Sequence, residues 1–396
     1  MVEYVGTRHQ RARAARRAAR AEEPLLRRLD WWLLAAVAGA VAYGLWAIAG
    51  ITRHDIPGDP NYYVIRQGVY AAVGGLGLVG ALLVDPSFYR RWWRALFGGT
   101  VALMVLVILA GAATRGSKRW IDLGFFRFQP SEFGKLLFVL ALAGFLADRA
   151  RRIGEPRTTL LALGLALFPI LLVFVQPDLG TALVYGAALA AILFVAGTPW
   201  THIAVLGVGA VLFATAVLWV LPAAGIQVLQ PYQVHRLTQF LNPTSDPRGA
   251  TYNITQSITT VGAGGVHGRG VAGSTQTNLD YLPEHRTDFA FASLAEQRGF
   301  LGAAFLLCLY LLLVWRGLRI VTLARDHFSA VVAGGIVVAF LFQVFVNVGM
   351  TMGIAPITGI PLPFVSVGGS SMIANLTAMG VLLAIHARGR GGRRRR

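Results

Sequence analysis

The sequence predicts an all-α polytopic membrane protein of about ten transmembrane helices, with both termini cytoplasmic and one long extracytoplasmic loop between helices seven and eight. Three observations carry this. Of 396 residues 55% are apolar, the mean hydropathy is +0.59 and 14% are charged, where a soluble chain carries about 25% charged residues. Apolar runs of spanning length recur at 31–51, 64–84, 95–113, 130–148, 158–175, 179–197, 201–222, 288–315, 328–352 and 367–386. Lys and Arg crowd the two tails and the loops 85–94, 149–157 and 316–327, and are sparse in 52–63, 114–129, 223–287 and 353–366. The positive-inside rule therefore assigns the first set to the cytoplasm.

Residues 1–30 form a basic tail. Its Arg- and Ala-rich stretch Arg8 to Arg28 has the composition of an organellar transit peptide, but the same bias recurs at each cytoplasmic loop, so it reads as a solvated tail. The first apolar run is long enough to cross the bilayer and is not a cleavable secretory signal. Residues 31–386 form the transmembrane domain, and 387–396 are a second basic tail. A net charge of +18 would suit nucleic acid, yet the arginines are divided among clusters between apolar runs. Membrane lipids, and no nucleic acid, are the expected partners. Cys308, the single cysteine, excludes a disulfide framework and a Cys-based metal site.

The loop 223–287 is long enough to expect function. Thr251 to Val261 reads as a short amphipathic helix within it, and Gly262-Ala-Gly-Gly-Val-His-Gly-Arg-Gly270 fits neither nucleotide-binding spacing and reads as turns at the membrane surface. Pro356, Pro361 and Pro363 break the segment 353–366. Non-helical backbone at membrane depth must be buried in protein or line a cavity, so a cavity open to the outer leaflet is expected. No internal repeat is visible, which speaks against an inverted-repeat transporter.

Three polar clusters face outward. The first, Tyr281 to Arg298, carries Asp288 and Glu296; ionisable residues at such positions are functional candidates. Asp288, Ala292 and Glu296 make an i, i+4, i+8 row with the carboxylates about 12 Å apart if all are helical. Asp288 also suits a helix N-terminus electrostatically. The second cluster holds Lys118, Arg119, Arg127, Gln129, Ser131, Glu132 and Lys135. Pro130 suits a first helical position, and Glu132 and Lys135 are i, i+3 partners. The third is Gln176-Pro-Asp-Leu-Gly-Thr181, where Asp178 reads first as a helix cap. Together they suit an anionic, phosphate-bearing ligand.

The segments Lys118 to Glu132, Gln176 to Thr181, Phe240 to Gly249, Leu282 to Phe289 and Ile360 to Ser371 resemble the SEDS family (shape, elongation, division, sporulation), its RodA-like branch more than its FtsW-like one. The resemblance spans about residues 30–386. It implies a peptidoglycan glycosyltransferase of the bacterial cytoplasmic membrane that polymerises lipid II into a growing glycan strand for elongation and rod shape, beside a class B penicillin-binding protein as transpeptidase. It implies that Asp288 is the essential acid and that Arg127 and Lys135 are the basic pair flanking the Gln-Pro-Ser-Glu motif. Glu132 takes the acidic place in that motif; Gln129 and Ser131 belong to it, Lys118 and Arg119 precede it, and Glu296, Gln176, Asp178 and Ser366 are supporting positions. The chain departs from the family at Gln297, where a second Glu is usual, at Val367, where an aromatic is common, and at Arg286.

A polyprenyl pyrophosphate leaves as a stabilised anion, so one base and several cations suffice, without the second carboxylate a glycosidase needs. Asp288 is expected to be that base, with inversion at the anomeric carbon. Mg²⁺ or Mn²⁺ is a plausible metal although no ligand set identifies it, and no organic cofactor is expected. A lipid II flippase, an FtsW-like division polymerase and a non-catalytic scaffold are the alternatives.

Overall fold

The structure, a computed structural model, describes residues 25–114, 117–124, 126–242 and 251–389, leaving aside the side chains of 112–114, 117, 118, 231, 232 and 235. The expected ten helices are present among them: α1 Trp31–Ile51, α2 Tyr62–Leu83, α3 Trp93–Ala110, α4 Pro130–Asp148, α5 Pro156–Val175, α6 Leu179–Val195, α7 Trp200–Ala223, α9 Ala290–Leu323, α10 His327–Thr351 and α11 Gly369–Gly389. The extra α8, Tyr252–Ala263, is the amphipathic helix of the long loop. Most ends lie within three residues of the expected ones, because the chain marks them chemically. Asp30, Asp178 and Asp326 each accept a bond from a backbone N–H in the first turn of α1, α6 and α10, the usual N-cap arrangement, and Pro130 opens α4.

α11 packs along α2, α10 lies between α6 and α9, and α9 also lies on α1. α4, α10 and α11 are the most buried helices, whereas α7 stands at the edge with its apolar side chains exposed. Those side chains require lipid around them. The mid-sections 136–147 of α4 and 330–342 of α10 contain no polar side chain, and α11 adds only Thr377 between Leu376 and Ile385. At the inner end Arg316 of α9 donates from Nε and Nη2 to the Asp30 carboxylate (2.6–3.1 Å), and His386 of α11 lies 3.7 Å away. One buried carboxylate thus joins three helices.

α9 departs from expectation. It is 34 residues long, about 51 Å at 1.5 Å per residue, against a hydrocarbon core of about 30 Å. It is broken at Gly299 (φ 65°, ψ −167°). The backbone groups freed there meet the glycine-rich turn: Phe300 N–H donates to Gly265 O (2.8 Å), Leu301 N–H to Val266 O (3.2 Å), and Arg269 N–H to Glu296 O (2.9 Å). An open break at this depth would cost several kcal/mol; the turn fills it. A Cβ at Gly299 would stand 2.3 Å from Gly268 N. Gly299→Ala is therefore expected to destabilise by more than the ~1–3 kcal/mol of an unfavourable φ alone. Gly262→Ala, where a Cβ meets nothing, should leave melting in detergent nearly unchanged, and equal melting of both variants would contradict the account.

The outer loop before α4 is also unlike the expectation of helices alone. It forms a small antiparallel sheet of β1 Ala112–Thr114, β2 Ser117–Asp122 and β3 Arg127–Phe128 in the order β1-β2-β3. The Pro-rich segment 353–366 is a non-helical stretch buried among helices. Asn347 Nδ2 donates to Ile360 O (2.7 Å), Tyr310 OH to Pro363 O (2.5 Å), and Gly44 of α1 lies against Phe364 O.

Candidate active site

Asp288 lies in the turn ahead of α9, outside the spanning helix. Four elements hold its backbone neighbourhood. Asn347 of α10 donates from Nδ2 to Asp288 O (2.9 Å). Ser366 donates its hydroxyl to Thr287 O, and Val367 N–H donates to Arg286 O (2.9 Å). Asp55, in the loop after α1, binds His285 Nε2 (3.0 Å) and accepts from Arg286 Nη1 (2.8 Å), while the Arg286 guanidinium lies 4.8 Å from the Tyr63 ring centroid. Gln67 of α2 completes the clamp by donating to Ser366 O (3.0 Å) and accepting from Gly368 N–H (3.2 Å). Among the described residues no group hydrogen-bonds the Asp288 carboxylate, and the residue as a whole is half-buried. Gly359 in αL (φ 74°) passes it so closely that a Cβ there would be 3.4 Å from Oδ2.

The carboxyl pKa is raised from 3.8 to about 6. Burial is the main cause, the Glu284 carboxylate adds to it, Arg236 and Arg119 oppose it, and Asp178 raises it slightly. Asp55 moves the other way: burial works to raise it, but bonds and charge from His285 and Arg286 outweigh this and hold it below its usual value.

The other clusters converge on the same side. Arg119 of β2 donates from Nε to Gln176 O (3.1 Å) and from Nη2 to Pro177 O, and Nη1 stands 4.0 Å from Asp178. Asp178 caps α6 through Thr181 N–H (3.1 Å) and accepts from Gln129 Nε2 (3.1 Å); Gln176 donates to Met104 O (3.0 Å). Gln129 N–H reaches Ser370 Oγ (2.9 Å), and Ser131 O accepts from Tyr185 OH (3.1 Å). Lys135 Nζ donates to both Glu132 oxygens (2.8 Å each) and to Gln343 Oε1 (3.1 Å). Gln343 and Asn347 are one turn apart on α10, about 6 Å, so one helix face touches both the Lys135 pair and the Asp288 turn.

Some expectations are corrected. The Asp288–Ala292–Glu296 row does not form, because α9 starts at Ala290. Glu296 is fully buried and faces the loop, accepting from Gln276 N–H (2.9 Å), Thr277 N–H (3.0 Å) and Thr277 Oγ1 (2.7 Å). It orders the loop and is not part of the Asp288 site. Gln297 is buried against Gly50. Arg127 is not beside Lys135: its exposed side chain pairs across β2 and β3 with Asp122 at 3.6 Å. The Lys118 side chain and residues 243–249 of the Phe240–Gly249 motif lie outside the described residues.

Sequence reasoning missed Asp55, Gln67, Asn347 and Arg236. Asn347 and Gln343 carried a legible signal, as two amides four apart in a long apolar run. Asp55 carried none, since its partners are over 200 residues away. Among the described residues no three His, Cys, Asp or Glu are grouped to hold a metal ion. Mg²⁺ commonly takes one or two carboxylates and completes its shell with phosphate and water, and the carboxylates of Asp178 and Glu284, both close enough to shift Asp288, suit only that sparse mode.

A family model described as a cell cycle protein, covering FtsW, RodA and SpoVE, matches residues 28–391. The peptidoglycan glycosyltransferase MrdB of Escherichia coli K12 is 40% identical over 317 residues, 80% of this chain and 83% of the relative. Stage V sporulation protein E of Bacillus subtilis is 38% identical over 330 residues, 83% and 87% of the two chains. Among solved structures, a chain from work on the coordination of polymerization and crosslinking by a peptidoglycan synthase complex is similar with a TM-score of 0.77 and 31% identity, over 91% of this chain and 98% of that one. The rod shape determining protein RodA of Thermus thermophilus is similar with a TM-score of 0.67 and 28% identity, over 90% and 96%.

Proposed function

The chain belongs to the FtsW, RodA and SpoVE family, and from that premise we propose that Asp288 is the general base of this peptidoglycan glycosyltransferase, a multi-pass protein of the bacterial cytoplasmic membrane. The observation that carries the proposal is the Asp288 turn itself. Its backbone is fixed from four elements, yet its carboxylate oxygens are left without a hydrogen bond among the described residues. Among the described residues its backbone is held while its acceptor oxygens are committed to no other side chain.

The acceptor's sugar 4-hydroxyl attacks the anomeric carbon of a lipid-linked donor with inversion. Asp288 takes the hydroxyl proton, and polyprenyl pyrophosphate leaves with the bonding electrons. The leaving anion needs positive charge and no acid. Arg119 and Arg236, both close enough to lower the Asp288 pKa, supply it. So does Lys135, whose bond to the neutral Gln343 amide a pyrophosphate oxygen can replace. Arg127 stands at the rim, and its exposed pair with Asp122 exchanges readily. Asp178 and Glu284 would hold a divalent cation bound together with the pyrophosphate, and such an ion would supply further charge neutralisation. Chelation is expected to slow turnover and added Mg²⁺ or Mn²⁺ to restore it, with melting unchanged; a fall in melting on chelation would indicate a structural ion instead.

The rate is expected to rise with pH through about 6 and level off above it, because only ionised Asp288 accepts the proton. Glu284→Gln removes a negative neighbour that raises this pKa, so the ascending limb should move to lower pH. A limb unmoved by that change would exclude Asp288 as the titrating group.

We place the enzyme in elongation, supported by the resemblance to MrdB and RodA, and pair it with a class B penicillin-binding protein, supported by the complex in which a similar chain was solved. The test is polymerisation of labelled lipid II by the purified pair. Long glycan strands are expected; their absence from folded complex would favour the flippase.

A further inference from the structure

On the cytoplasmic side, remote from Asp288, the helical turn Pro86–Arg91 and the start of α3 border an open polar cavity of about 350 Å³. Ser87, Arg90, Arg91, Trp93, Arg94 and Asp148 line it. Three guanidinium groups face one carboxylate, and that carboxylate is already shared between Arg90 Nη2 (3.5 Å) and Trp93 Nε1 (2.9 Å). The Arg94 guanidinium lies 5.4 Å from the Trp93 ring centroid. Arg91 and Arg94 have no acidic partner among the described residues. Arg388 nearby shows the contrast, since it is spent on Asp85 (3.1 Å) and on the carbonyls of Leu82 and Leu83 at the end of α2.

Clustered arginines repel one another unless an anion completes the cluster, and phosphate matches the guanidinium fork. Phe88 and Trp92 on the same segment expose about half of their surface (52% and 51%), as aromatic residues do at the headgroup level. Cavity and aromatic anchors together put three arginines, only Arg90 of them paired with a carboxylate among the described residues, at inner-leaflet headgroup depth.

We propose that this cavity binds the phosphate headgroup of an anionic phospholipid of the inner leaflet, whose acyl chains run past Phe88 and Trp92. The arginines hold the phosphate, and occupancy ties the α2–α3 connection to the end of α4 through Asp148.

The test uses the full chain purified in neutral detergent, with retained lipid read by native mass spectrometry and melting read on addition of phosphatidylglycerol or phosphatidylcholine. Arg90→Gln/Arg91→Gln/Arg94→Gln is compared with Arg151→Gln/Arg152→Gln/Arg157→Gln from the next cytoplasmic loop, which removes equal charge outside the cavity. The cavity variant is expected to bind phosphatidylglycerol at least about tenfold more weakly, the control to change less than about twofold, and phosphatidylcholine to bind neither detectably. Should the triple variant melt early without lipid, Arg91→Gln/Arg94→Gln keeps the Arg90–Asp148 pair and asks the same question. Equal losses in the two variants would mean diffuse surface attraction and overturn the proposal. Competition by glycerol 3-phosphate as strong as by the lipid would also overturn it, in favour of a free phosphate ligand.

Discussion

Asp288→Asn is expected to lower lipid II polymerisation by about 10²–10⁴-fold, the usual contribution of a positioned base, without lowering the melting temperature. The second half of this prediction separates catalysis from folding. A carboxyl whose pKa rises from 3.8 to about 6 on folding disfavours the folded state once it ionises, and that cost sets in as pH rises through the same window. The amide carries no such cost. Activity should vanish while stability holds or improves, the trade expected of a residue kept for chemistry. A variant that melts early would show a structural aspartate, and one that still polymerises would remove Asp288 from the mechanism.

Lys135→Met is expected to cost about 3–5 kcal/mol, because it leaves Glu132 buried and unpaired in the outer half of the bundle. Glu132 is 1% exposed and Lys135 9%, so little solvent screening softens the loss. Glu132→Gln with Lys135→Met should recover most of that stability, since replacing both members of a buried pair is often nearly neutral. The rate should stay at least about tenfold down, because the cation proposed to face the leaving pyrophosphate is still missing. Recovery of rate along with melting would reduce the pair to a structural role. Melting in detergent and strand synthesis, measured on the same preparations, decide between the two.

Where a property follows from local chemistry, the sequence was a sufficient guide. Span positions follow from apolar length, the α6 cap from Asp178, and the Glu132–Lys135 pair from i, i+3 spacing. What escaped was contact between distant segments. Gly299 reads as an ordinary small residue until the glycine run of the preceding loop is laid against it. Asp55 reads as a loop acid until His285 and Arg286 arrive. Arg127 is set apart from Lys135 because it lies on a two-residue strand paired with β2, too short a strand to announce its period. Glu296 reads as a functional candidate because a carboxylate in an apolar helix suggests chemistry, whereas here its charge satisfies two backbone N–H groups and a hydroxyl of the preceding loop.

The apolar mid-sections of α4, α10 and α11 have an electrical consequence. They separate Lys135 and Asp288 at the outer end from Asp30 at the inner end by stretches of helix that offer a proton almost nothing to hop along. The transmembrane voltage, worth about 2.3 kcal/mol per charge for each 100 mV, therefore falls across this insulating slab. On the proposed reading Asp288 lies on its outer side and exchanges protons with the outer medium, so its ionisation is expected to follow external acidity and not the energised state of the cell. On that reading a cell whose membrane potential collapses is expected to keep the proposed base charged, and one whose surroundings fall well below pH 6 is not.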